Sequence, residues 1–135
     1  MEILDVSGDI GLRVTAATKE ELFVKAACAL FSLITDFEAI EPLESREIAL
    51  SADSSDDLMV AWLNELIYNF DAFGFLCTDV TINKLSPKHI KATVKGETFD
   101  EEKHKRGFLI KAATYHNLKL VCEPSFSSLE IILDI

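Results

Sequence analysis

The sequence predicts one α+β domain over residues 1–135, a mostly antiparallel or mixed sheet with two helices packed on one face. Three observations carry this expectation. Two segments hold an apolar stripe at helical spacing, several others alternate apolar and polar residues with period two, and the order runs strand, strand, helix, strand, helix, then a series of strands. At 135 residues the chain suits one core. Its 49% of hydrophobic residues supply that core and exclude disorder by composition.

Residues 2 to 6 and 10 to 17 flank Ser7-Gly8-Asp9 and alternate, so they read as two half-buried strands joined by a tight turn. Thr18-Lys19-Glu20-Glu21 then forms a capping box, in which the Thr18 hydroxyl accepts from the third helical N–H and Glu21 reaches back. Leu22, Ala26, Leu30 and Ile34 fall four apart, with Phe23, Ala27 and Phe31 beside them, which predicts a helix over 19–34. Arg46 to Ser51 puts Ile48 and Leu50 on one side of a third strand. Ser54-Ser55-Asp56-Asp57 opens a second helix with an acidic first turn, Leu58, Trp62, Leu66 and Phe70 make its stripe, and Gly74 stops it. Five further strands are expected at Leu76 to Asn83, His89 to Lys95, Leu109 to Tyr115, Leu118 to Cys122 and Leu129 to Ile135. Asn117 fits a tight turn between two of these, and Phe99 to Gly107 reads as the longest exposed loop.

Thirteen Lys and Arg against 23 Asp and Glu give a net charge of −10. Tight binding to nucleic-acid phosphates or an anionic membrane draws on Lys and Arg, so this balance favours a cation or a basic protein surface instead. The N-terminus lacks a basic and apolar leader, and Cys28, Cys77 and Cys122 form no C-x-x-C pair. A soluble, reduced, cytoplasmic protein without an export signal is expected.

No phosphate-binding glycine loop, nucleophile elbow or H-E-x-x-H is present. His89, His104 and His116 stand at no metal-ligand spacing and read as surface or turn residues; Cys28 reads as a small core residue, Trp62 as a core anchor and Glu65 as surface charge. The most suggestive group is acidic. Asp9 follows the Ser7-Gly8 turn, and Asp134 and the Ile135 carboxylate end an apolar strand; if the first and last strands are neighbours, three anionic oxygen groups meet there. Such a cluster raises a pKa or recruits a hard cation, whereas the plainer reading is a solvated turn aspartate and an ordinary terminus. Lys111, a lone cation in an apolar strand, either sits on the outer face of the sheet or serves an acidic cluster or a partner's phosphate. Asp36 either caps the exit of the first helix or joins the acidic group.

Blocks across nearly the whole chain resemble the archease family. Leu4-Asp5-Val6-Ser7-Gly8-Asp9-Ile10-Gly11 is similar to its opening D-H-T-A-D-I-G, with Val6-Ser7-Gly8 where the family has His-Thr-Ala. Leu22-Phe23 through Thr35-Asp36, Trp62 to Tyr68, Gly96-Glu97-Thr98-Phe99-Asp100 with His104, Lys111 to His116, and Asp134-Ile135 follow in the family's order. The resemblance implies an SHS2-like α+β fold and a non-catalytic accessory protein. Its partner would be the RtcB-type tRNA-splicing ligase, whose guanylylation and turnover it promotes, with RNA met only through that ligase. It further implies a divalent metal, with Ca²⁺ the ion expected and Mg²⁺ or Mn²⁺ as alternatives, held by Asp9, Asp134 and the Ile135 carboxylate. Lys111 is implied in activation and Asp36 as an acidic neighbour. Two rival classes stand beside this one: a chaperone or modulator of a tRNA methyltransferase, and a metal-dependent hydrolase built on the same carboxylates. The oligomeric state stays open.

Overall fold

The computed structural model describes residues 1–6 and 8–135, and of Asp5 the backbone alone; the Ser7 part of the expected turn lies outside the described residues. The chain runs β1 Glu2–Val6, β2 Asp9–Ala16, α1 Lys19–Ile34, a 3₁₀ turn Phe37–Ala39, β3 Glu44–Ser51, α2 Ser55–Phe73, β4 Phe75–Leu85, β5 His89–Thr98, β6 Ala112–Ala113, β7 Lys119–Glu123 and β8 Phe126–Asp134. The predicted α+β domain is the one observed, with every strand pairing antiparallel. One expectation changes: the described residues form two sheets. A larger one runs β1-β2-β8-β6, with β7 also on β8, and a smaller one runs β3-β5-β4. Period-two alternation reveals which face of a strand is buried but not which strand lies beside it. The turn at Ser86-Pro87-Lys88 folds β4 and β5 into a local hairpin, and β2 takes the distant β8 instead of β3.

Each sheet buries one face against the helix pair. Ile10, Leu12 and Val14 of β2 and Leu129, Ile131 and Leu133 of β8 meet α1, while Ile90, Ala92 and Val94 of β5 line the smaller sheet's inner face. Both helices begin as their sequences dictate. The hydroxyls of Thr18 and Ser54 accept from the N–H groups of Glu21 and Asp57 at 3.1 Å each. The return half of the first capping box is replaced, since the Glu21 carboxylate pairs with Lys25 at 2.9 Å. Gly74, at φ 69°, closes α2 in the left-handed conformation that glycine adopts without strain. Trp62 is fully buried and donates its indole N–H to the carbonyl of Phe23 at 3.0 Å, which ties the two helices together.

Candidate functional site

Strand register assembles one end of the molecule. β2 and β8 pair with Ile10 opposite Leu133, and the next rung of the same register sets Asp9 across from Asp134. Ile10 and Leu133 point into the core, so Asp9 and Asp134, one residue along, belong to the outer face. β6 pairs Ala112 with Asp134, and just before it the Lys111 N–H donates to the Asp134 carbonyl at 2.8 Å. Lys111 therefore runs beside Ile135, exposed and, among the described residues, in no ion pair.

Asp36 reaches the same end by another route. It follows α1, its carbonyl accepts the Ala39 N–H at 3.0 Å, and its side chain makes no capping bond. The last carbonyls of α1 are satisfied from elsewhere in the chain. Gly107 and Phe108 donate their N–H groups to Ile34 and Leu33 at 2.8 Å each, and the Thr35 hydroxyl donates to the Lys105 carbonyl at 2.6 Å. A Cβ on residue 107 would stand 2.2 Å from the Leu33 oxygen, so this cap requires glycine. From Gly107 it is four residues to Lys111, which links the end of α1 to the Asp134 edge. Asp9, Asp36, Lys111, Asp134 and Ile135 thus share one end of the fold.

The donor chemistry at this end is two side-chain carboxylates on adjacent strands, with Ile135 beside them. Hard oxygen donors of this kind suit Ca²⁺ or Mg²⁺. They form no complete cage by themselves: among the described residues no three His, Cys, Asp or Glu side chains converge as ligands. An ion there would need water or a partner's groups to fill its coordination sphere.

Sequence patterning missed the residue that shapes this edge. The strand expected from Leu109 to Tyr115 shortens to Ala112–Ala113, paired with Leu133 and Asp134, while β7 takes the earlier stretch of β8; on the open edge of β6, Asn64 of α2 takes the place of a neighbouring strand. Its Oδ1 accepts the Ala113 N–H at 2.8 Å, and its Nδ2 donates to the Ala113 carbonyl at 3.1 Å. The Thr114 N–H and hydroxyl both donate to the Ile132 carbonyl, and the chain then turns through Asn117, at φ 52°, into β7. The turn expected at Asn117 is present. Asn64 lies within the Trp62 to Tyr68 block, which is the only signal that could have pointed to it.

The second missed group is the network around Glu97. His104, expected at the surface or in a turn, is 3% exposed. The Asp100 N–H donates to His104 Nδ1 at 2.9 Å, so Nε2 carries the proton and donates to the Glu97 carboxylate at 3.1 Å. The same carboxylate accepts the Glu41 N–H at 2.6 Å and pairs with Lys103, and the Phe99 ring covers the imidazole. Burial works to raise the Glu97 pKa. The bonds from Lys103, the Glu41 N–H and His104, with the charge of Lys103, outweigh it and hold the carboxyl below its ordinary value. The network folds the middle of the Phe99–Gly107 loop inward and so fixes where the 107–111 segment begins. His89 and His116 are exposed, as expected.

The Archease protein family (MTH1598/TM1083) model matches residues 1–135. Among curated relatives, the protein archease of Methanopyrus kandleri is 34% identical over 137 residues, covering 99% of this chain and 98% of that one. The protein archease of Sulfurisphaera tokodaii is 31% identical over 136 residues, covering 99% and 97%. The solution structure of Methanobacterium thermoautotrophicum protein 1598 superimposes with a TM-score of 0.82 at 30% identity, covering 99% of this chain and 97% of that one. The crystal structure of an archease, possible chaperone, from Thermotoga maritima shares the fold with a TM-score of 0.67 at 20% identity, covering 100% and 97%. Among the described residues no helix is long and apolar enough to cross a membrane.

Proposed function

The chain belongs to the archease family, and from that premise we propose that it is a non-catalytic accessory protein that activates an RtcB-type tRNA-splicing ligase. The observation that carries this reading is the register that lines up Asp9 and Asp134 with Lys111 and Ile135 at one end. In this reading that end docks at the ligase's metal- and nucleotide-binding cleft. Asp9, Asp134 and the Ile135 carboxylate would hold a divalent cation, Ca²⁺ first and Mg²⁺ or Mn²⁺ as alternatives. Such an ion supplies positive charge to phosphate oxygens. The chain's own contribution is orientation. The Lys111 N–H to Asp134 bond and the Asn64 clamp hold the carboxylate edge in one geometry, and the Lys111 ammonium faces the anionic phosphates of a nucleotide. Asp36 extends the negative field of the same end.

The test is single-turnover guanylylation of a cognate ligase with labelled GTP and Mn²⁺, with and without this protein. Asp9→Ala, Lys111→Ala and Asp134→Ala are each expected to abolish the rate gain while leaving the thermal melt nearly unchanged. Loss of folding in all three would make the group structural. No gain with an active ligase would favour a chaperone of an RNA-modifying enzyme.

A further inference from the structure

We propose that the outer face of the smaller sheet carries a second site, a cleft at Lys84, His89 and Lys91 that binds a dianionic phosphoryl group. The observation behind it is a like-charge pair built into the β4–β5 hairpin. The register shifts between Ile82 and Lys84, so that Ile82 lies opposite Ala92 and Lys84 opposite Lys91. An unshifted strand would set the neutral Asn83 across from Lys91. The bulge sets Lys84 there instead, and like charges directly opposite on antiparallel strands repel. Both lysines are exposed, and among the described residues neither forms an ion pair.

The neighbouring residues make a cradle around this pair. A cleft of about 290 Å³ is lined by Lys84, His89, Lys91 and Ser51, and no carboxylate lines it. The β3 partner of Lys91 is Ala49, whose short side chain leaves the room, and the partner of His89 is Ser51, which brings a hydroxyl. His89 Nδ1 lies 3.4 Å from the Ser86 hydroxyl, while Nε2 has no partner among the described residues. The bulged Asn83 is pinned: its Nδ2 donates to the Thr93 hydroxyl at 2.9 Å, and that hydroxyl donates to the Glu47 carboxylate at 3.0 Å. Glu47 is the next residue along β3 on this face, and Asp53 stands two residues past the end of that strand. Neither pairs with a lysine, and Lys88 of the turn adds a third ammonium beside them. Lys19 and Glu20 of α1 line the adjoining cleft on the helix side of the turn and cancel in charge.

Charge and size choose the ligand. Two opposed ammoniums call for two negative charges in one compact group, which a phosphoryl group supplies and a single carboxylate does not. No aromatic ring lines the cleft, so nothing here stacks a base. Nor does the cationic surface continue as a track for a nucleic-acid backbone, since Glu47 follows Ala49 on β3 and Lys95 lies across from Asp79. The site is remote from the Asp9 and Asp134 group. Its turn meets the start of α1, where Lys19 donates to Ser55 at 2.7 Å and Ser55 to the Pro87 carbonyl at 3.4 Å, whereas Asp36 lies past the other end of that helix, 16 residues or about 24 Å away. It therefore needs no ligase, and its failure would leave the activator reading untouched.

The experiment follows backbone amide chemical shifts of the full chain during titration with inorganic phosphate, against sodium chloride at equal ionic strength. Saturable shifts are expected at Ala49, Lys84, His89 and Lys91, half complete at about 1 mM. Lys84→Gln and Lys91→Gln should each weaken binding about tenfold. Lys84→Glu, which can pair with Lys91 across the strands, should keep the fold and abolish the shifts. In phosphate-free buffer Lys84→Gln should melt about 2 °C above the unchanged protein, because the repulsion is gone, and saturating phosphate should close that gap. GTP and an end-phosphorylated oligonucleotide separate the sources: whichever moves the same amides supplies the phosphoryl group. The same oligonucleotide with a hydroxyl end, if it moved them equally, would assign the site to backbone charge and overturn the proposal. Shifts that chloride reproduces, shifts that Lys84→Glu retains, or a Lys84→Gln melt below that of the unchanged protein overturn it as well.

Discussion

Replacing Asn64 by Ala removes both bonds that clamp Ala113. Ala113 is 5% exposed, so its N–H and carbonyl on that side have little access to water once the amide is gone. An unsatisfied buried backbone group costs about 1–3 kcal/mol, and here the relaxation of one short strand places the pair at about 3 kcal/mol. For a domain of this length one kcal/mol moves the midpoint by about 3–5 °C, so Asn64→Ala should melt about 10 °C lower. Asn64→Asp keeps the acceptor for the Ala113 N–H but sets a carboxylate oxygen against the Ala113 carbonyl where the amide donated, so it should recover little of that drop. The assay is a calorimetric melt joined to amide hydrogen exchange, in which the Ala113 N–H should lose protection in Asn64→Ala and retain most of it in Asn64→Asp. A melt within about 2 °C of the unchanged protein, or an Ala113 amide equally protected in both variants, would refute the clamp.

Two more outcomes follow from the buried groups. The Glu97 carboxyl is held below its usual range, so its contribution is complete above the unfolded carboxylate pKa and is lost as pH falls through the folded one. Glu97→Gln should therefore trail the unchanged protein by a steady margin in melts from about pH 7 to about pH 5, and the margin should narrow below about pH 4; a margin that persists to about pH 3 would contradict the network. Burial pushes the Cys77 thiol up to about 12 and also raises that of Cys28, whereas Cys122 is exposed. A thiol reagent at about pH 8 should label Cys122 quickly, Cys28 slowly and Cys77 only after denaturation, since the thiolate is the reactive form. Rapid labelling of Cys77 in the native protein would mean that its strand is not packed as described.

Local patterning made most of the architecture legible. The stripes of Leu22, Ala26, Leu30 and Ile34 and of Leu58, Trp62 and Leu66 are the buried faces of α1 and α2, because helical spacing alone decides which side chains share a side. Thr18, Ser54, Gly74 and Asn117 mark ends and turns through their own backbone and side-chain chemistry. The sequence offered the pairing of the first and last strands as a condition for this group; the structure instead places β2 beside β8, with β1 outside it, and it is that register which sets Asp9 across from Asp134. Other features depend on segments that meet only in three dimensions. Asn64 clamps the open edge of β6 from 49 positions away, Gly107 and Phe108 close the end of α1, and Glu97 draws His104 into the interior. None of these leaves a local period, since each joins a polar side chain or a helix end to backbone supplied by a distant stretch. By itself the sequence determined which residues are helical, which alternate and which face inward, because those follow from the geometry of a single segment. Only the tertiary structure decided that the strands divide into two sheets and that the acidic end is framed by a side-chain clamp and a borrowed cap, because buried polar groups take whatever partner the packing brings within hydrogen-bond reach.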